Sequence, residues 1–126
     1  MVRLHHIQVA CPPGGEGQAR RFYADALGLT EVEKPKALQS RGGAWFRAYE
    51  GDAIATEIHV GVEDPFVPAR KAHPALLVDD LAAIARRLRE TGFEVDESQR
   101  DTFDGYLRFH TFDGHGNRVE VLQPLD

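Results

Sequence analysis

Six histidines in a chain of 126 residues, beside a single cysteine, pose the first chemical question. His6, His59 and His73 fall in apolar stretches, and Glu120 falls in a fourth. Imidazole and carboxylate together suit a divalent ion such as Zn, Ni, Fe or Mn, and nothing in the chain suits a thiolate site. No local pair such as His-x-x-x-His occurs, so the fold must bring these donors together. Trp45, Arg47, Tyr106 and Arg108 form a second group. The guanidiniums suit bidentate binding of a carboxylate or phosphonate, and the rings suit the wall of a small-molecule site. Alternatively, both arginines pair with Glu57 or nearby acids and brace the sheet.

The elements that must position these residues are legible as a repeat. Residues 4–11 read as a strand, ended by Pro12-Pro13-Gly14-Gly15. A helix follows over residues 16–27, where Ala19, Phe22, Tyr23, Ala26 and Leu27 make one apolar stripe and Gly28 stops it. Strands are predicted at 29–33, 44–50 and 54–62. Residues 64–72, with Pro65 and Pro68, read as a linker. The pattern then restarts: a strand at 73–79, a helix capped by Asp80 with Leu81, Ile84, Ala85 and Leu88 on one face, and strands at 93–95, 106–112 and 117–123. One domain, residues 1–126, thus holds modules 1–63 and 73–126. A shift of 61 lays Ala44–Val60 on Gly105–Val121 without a gap, placing Trp45 on Tyr106, Arg47 on Arg108 and His59 on Glu120. His6 meets His73 at a shift of 67.

Alternation along each strand sorts the faces. A helix with an apolar stripe must cover the face that carries Ile7, Val9, Cys11, Ile58, Val60, Val119 and Val121. The opposite face then holds His6, Glu57, His59, His73, Glu120 and both aromatic–arginine pairs. Two curved half-sheets facing one another would bring the four donors to a common centre. His5 has the other parity and is expected on the helix side or in solvent. His110 reads as a hydrogen-bonded structural residue, His115 as an exposed turn residue, and Cys11 as a buried, inert thiol.

Composition bounds the function class. Fifteen Lys plus Arg against twenty Asp plus Glu give a net charge of −5, which argues against nucleic acid as the main partner. No apolar run approaches the ~20 residues of a membrane span, and the start of the chain carries no signal pattern. A small cytoplasmic domain is expected, able to bury roughly two-thirds of its unfolded surface.

The chain resembles the vicinal oxygen chelate superfamily, which includes glyoxalase I, fosfomycin-resistance enzymes, bleomycin-resistance proteins and extradiol dioxygenases. The resemblance rests on Leu4-His5-His6-Ile7, on Phe22-Tyr23-Ala24-Asp25-Ala26-Leu27-Gly28-Leu29, on His73-Pro74-Ala75-Leu76-Leu77-Val78-Asp79 and on Asp113-Gly114-His115-Gly116-Asn117-Arg118-Val119-Glu120-Val121. It implies an α+β fold of two βαβββ modules forming a cupped mixed sheet with helices on the outer face. It implies one divalent metal, held by His6, His73 and Glu120, with His59 where glyoxalase I often carries a glutamate ligand and base. Glu120 or His59 is the candidate proton-transfer base. The implied function is a metal-dependent lyase, isomerase or dioxygenase on a small oxygen-bearing, anionic or enolisable substrate, in a homodimer. The alternative is a non-catalytic, drug-sequestering protein of the bleomycin-resistance type. In that case Trp45, Tyr49, Tyr106 and Phe112 would line the drug site.

Overall fold

A computed structural model describes all residues, Met1–Asp126. The first module runs β1 (Ile7–Cys11), α1 (Glu16–Arg20), a π-helical stretch (Arg21–Ala26), β2 (Thr30–Val32), β3 (Ala44–Glu50) and β4 (Ala53–Val62). A 3₁₀ segment, Lys36–Arg41, fills the loop before β3. The second runs β5 (Ala75–Leu77), α2 (Leu81–Thr91), β6 (Val95–Asp96), β7 (Tyr106–Phe112) and β8 (Arg118–Pro124). Each module makes a four-stranded mixed sheet, in the orders β1-β4-β3-β2 and β5-β8-β7-β6. In both, the first strand lies parallel to the last and the hairpins are antiparallel. The fold is the expected α+β pair of βαβββ modules.

The predicted helix over 16–27 forms, but widens into a π turn where Leu27 N–H donates to Phe22 O at 3.0 Å. The wider turn lets the adjacent Phe22 and Tyr23 both point inward, and both are fully buried. Asp80 caps α2 as expected, its Oδ1 accepting from Ala83 N–H at 3.0 Å. β5 is shorter than predicted. Pro74 has no N–H to donate, so the ladder starts only at Ala75, and His73 lies just before the strand rather than inside it. His6 likewise precedes β1.

The helix-facing sides of the two sheets share one core, in which Phe22, Phe46, Ile58, Leu88, Phe109, Val119 and Val121 are buried together. The helical layers meet directly: the Phe22 ring stands edge-on to Phe93 at 5.1 Å, and Arg21 donates to Thr91 O at 2.7 Å. Cys11 is fully buried in this core, and burial pushes its thiol pKa up, as an inert thiol requires.

The Asp113–Asn117 turn joins the modules. The Asp113 carboxylate accepts from the N–H groups of His115 and Asn117, from Asn117 Nδ2 and from the Tyr23 hydroxyl. Asn117 Nδ2 also donates to Ala10 O on β1 at 2.7 Å, while its Oδ1 accepts from Ala69 N–H. His115 is not an exposed turn residue. It is half-buried, donating through Nε2 to Gly15 O at 2.8 Å with its ring edge-on to Phe66, because the turn packs under the first module's Pro-Gly loop.

Register corrects the repeat. β1 sets Gln8 opposite His59, and β5 sets Ala75 opposite Glu120. With His6 equivalent to His73, His59 is therefore equivalent to Glu120, as the shift of 61 requires. On the neighbouring strands, however, Trp45 faces His59 and His110 faces Glu120. The counterpart of Trp45 is thus His110, not Tyr106, and that of Arg47 is Phe112, not Arg108. An ungapped alignment hides this because the second hairpin turns sooner: four fewer residues separate His110 from Glu120 than Trp45 from His59.

Candidate metal centre

In the first sheet, β3 and β4 place Arg47 opposite Glu57 and Trp45 opposite His59. Glu57 and His59 are two residues apart on one strand, so they share the face away from the helices. The Glu57 carboxylate is fully used: Oε1 accepts from Arg47 Nε at 2.7 Å and Oε2 from His59 Nε2 at 2.7 Å. Burial alone would raise the Glu57 carboxyl, but the hydrogen bonds from His59 and Arg47 outweigh it and hold it below the ordinary value. Burial lowers the His59 pKa, more than its bond to Glu57 raises it. The neutral His59 ring is sandwiched, with the Trp45 ring parallel at 3.7 Å and the His6 ring at 4.0 Å on the other side. His5 lies in solvent, its Nδ1 2.9 Å from His6 Nδ1, and the donors of His5, His6 and Glu57 lie within 4.8 Å of one another.

The second sheet holds the corresponding group in a different state. His73, His110 and Glu120 bring one donor atom each within 4.8 Å of one another. Glu120 Oε1 is 2.9 Å from His73 Nε2 and 3.8 Å from His110 Nε2; Oε2 accepts from Arg108 at 3.2 Å. Burial pushes the Glu120 carboxyl up, yet the bonds from His73 and Arg108 outweigh it and keep the group ionised. His73 Nδ1 is 2.7 Å from Lys71 O. A carbonyl only accepts, so Nδ1 carries the proton. His73 Nε2 then faces a carboxylate oxygen of Glu120 at 2.9 Å. With Nδ1 holding a proton, that contact is made either by a second proton on Nε2, as an imidazolium–carboxylate pair, or by a metal ion in that proton's place.

His110 adds a second sign. Its side chain is buried and its Nδ1 has no hydrogen-bond partner. Burial first, then the nearby Arg118, lowers its pKa. The expectation of a hydrogen-bonded structural histidine is thus corrected. His110 is the donor that sequence reasoning passed over; it carried the right parity, and its strand partner Glu120 was the missing signal. Glu57 takes the partner anticipated for it, Arg47.

The structure therefore divides the four predicted donors into two pairs on separate sheets, His6 on His59 and His73 on Glu120. His6 does not join the group around His73. Arg47 and Arg108, expected either on substrate or bracing the sheet, are both engaged with carboxylates. Tyr106 stacks edge-on with Phe103 at 5.0 Å, outside the donor group. Around His73 and His110 opens a cleft of about 440 Å³, lined by Lys71, Asp96, Arg108 and Arg118 among others and by no hydrophobic residue. No helix is long and apolar enough to cross a membrane.

These features sit on a framework shared with known proteins. The family model described as Glyoxalase/Bleomycin resistance protein/Dioxygenase superfamily matches residues 3–121. The chain belongs to that superfamily. A protein described as of the glyoxalase family, from Bacillus anthracis, is 38% identical over 99% of this chain and 97% of its own, with a TM-score of 0.87. The fold also matches TnmS3, an antibiotic binding protein from Streptomyces sp. CB03234, at 23% identity and TM-score 0.69 over 99% of each chain. It matches the fosfomycin resistance protein FosX from Listeria monocytogenes at 12% identity and TM-score 0.74, over 99% of this chain and 95% of that one. The last two likenesses concern the fold alone. Among curated proteins no relative matches.

Proposed function

We propose that this member of the superfamily is a divalent-metal-dependent enzyme acting on a small oxygen-bearing substrate, with its reactive face on the second sheet. The observation that carries the reading is the convergence of His73, His110 and Glu120, one donor atom each within 4.8 Å, while His73 Nδ1 is tied to Lys71 O. A histidine that gives its other N–H to a backbone carbonyl is oriented as metal-binding histidines commonly are. His73, His110 and Glu120 form a 2-His-1-carboxylate donor set of borderline hardness, suited to Zn, Fe, Mn or Ni. An ion held there would act as a Lewis acid on a substrate oxygen.

The chain's own residues supply the rest. Arg108 fixes the Glu120 carboxylate through Oε2, leaving Oε1 toward the histidines. His110 turns Nε2 toward Glu120 at 3.8 Å, and its lowered pKa keeps the ring neutral, the form in which a histidine ligates a metal. His59 is a positioning residue in this reading rather than a ligand or base, since its Nε2 is committed to Glu57 and its ring is clamped between Trp45 and His6. The exposed His6 becomes a ligand when a second copy sets it against His73 and Glu120; the homodimer is the assembly that reunites the two pairs.

Metal content of protein purified without chelator tests the proposal. About one equivalent per chain is expected, lost in His73→Ala and kept in His59→Gln. Wild-type protein with no bound metal would sink it. The ring stack of His6, His59 and Trp45 favours one other reading, a non-catalytic binder of flat aromatic drugs, which metal-free protein with tight aromatic-ligand binding would support.

A further inference from the structure

We infer that the cleft beside His73 and His110 is a binding site for a small hydrophilic oxyanion, such as a phosphate, phosphonate or dicarboxylate group, gripped by Arg118 and Lys71. The inference deepens the proposed function and rests on its reading of the second sheet as the substrate side, though it uses different residues.

The argument starts from charge. The chain as a whole is acidic, at −5, yet the cleft gathers Lys71, Arg108 and Arg118 against one lining acid, Asp96. Arg108 is spent on Glu120 and on Thr102 Oγ1. Asp96 already accepts from Ser98 N–H at 2.9 Å. Arg118 is different. Only its backbone N–H is bonded, to Ala69 O, and its guanidinium enters no ion pair or hydrogen bond. It lies two residues before Glu120 on β8, so it shares the face with the donor group. The Lys71 ammonium is likewise unpaired, while the Lys71 carbonyl orients His73. One short backbone stretch therefore sets both a proposed metal ligand and a cation beside it.

A half-buried arginine with five N–H donors and no partner suits a planar or tetrahedral oxyanion. The lining selects against the alternatives. Drug-sized ligands bind in mostly apolar pockets, and this one has no hydrophobic lining residue. Polyanions such as nucleic acid need a broad basic surface, which a net-acidic chain does not offer. A local positive cleft on a negative molecule draws a small anion to one place.

The test is calorimetric titration with inorganic phosphate and with malonate at low salt, with metal content measured on the same samples. Wild type, Arg118→Ala, Arg118→Lys, Lys71→Ala and the exposed α2 control Arg86→Ala are compared, each as purified and after removal of metal by chelation. Arg118→Ala is expected to weaken oxyanion binding by about tenfold or more. Lys71→Ala should weaken it less, Arg118→Lys should restore it in part, and Arg86→Ala should leave it unchanged. Wild type that binds neither anion, or Arg118→Ala that binds as wild type does in the stripped state, overturns the inference. Oxyanion binding that depends on Arg118 in protein found to hold no metal would sustain the inference while the metalloenzyme reading fails. Metal retained in Arg118→Ala with oxyanion binding unchanged would do the reverse.

Discussion

The two sheets run through the same strand order, yet their polar faces are finished differently. On the first, Glu57 lies between two donors, Arg47 and His59, and the His59 imidazole stacks on Trp45. Every strong group has a partner. On the second, the position of Trp45 is taken by His110, whose Nδ1 has none, and Glu120 meets His73 at 2.9 Å with His110 at 3.8 Å. The same residue types thus make a closed cluster in one module and an open one in the other. Histidine and carboxylate in contact can exchange their shared proton for a metal where a third donor converges on them, as His110 does here; where the carboxylate is filled by an arginine and the ring is stacked, they are a buried hydrogen bond.

The sharpest way to break this contrast is to neutralise one carboxylate at a time. Glu120→Gln should lower metal affinity by well over the about 100-fold typical of losing a supporting partner, read by metal analysis after dialysis. Glu57→Gln should leave metal content within twofold, of order. Equal losses in the two variants would erase the distinction. Stability should reverse the order. Glu57→Ala leaves Arg47 and the buried His59 unpaired and should cost about 3 kcal/mol in urea unfolding.

Acid should act on both clusters once metal is stripped. The His59 and His110 pKa values are lowered in the folded chain, so the unfolded chain binds more protons as pH falls. Their contribution is full above the ordinary histidine value of 6.5 and is lost below it. Glu57 and Glu120, also lowered, add further loss below 4.5. The stripped protein should therefore lose stability progressively from pH 6.5 downward, in unfolding curves taken across pH. Replacing His59 by Gln should remove part of the first step; a profile flat from pH 7 to about 5 would contradict it. The smallest effect is expected from Asp80→Ala, about 1 kcal/mol from one lost helix cap. Because the modules share a core, it and Glu57→Ala should shift a single unfolding transition rather than two.

Much of this was legible in the chain. The helix cap at Asp80, both hairpins and the shared face of Glu57 with His59 followed from periodicity, since the alternation of a strand is fixed by its backbone. Two things were not. The offset between the third strands depends on where each hairpin turns, and ungapped comparison paired Arg47 with Arg108 when its counterpart is Phe112. Partnership was the other. Parity put Glu57 beside His59 and His110 beside Glu120, but which nitrogen holds a proton depends on a carbonyl such as that of Lys71, to which a sequence gives no direction.

The ring stack on the first sheet has a use apart from chemistry. Trp45 is the only tryptophan in the chain, and it lies parallel on His59 at 3.7 Å. Its emission therefore reports on one side of the molecule alone. A proton reaching His59, or a second copy settling on His6, changes what the indole touches, while events confined to the second sheet leave it dark to them. The chain carries its own optical probe, placed on the stack that a partner copy would reach through His6, so that assembly and protonation of His59 can be read from its emission.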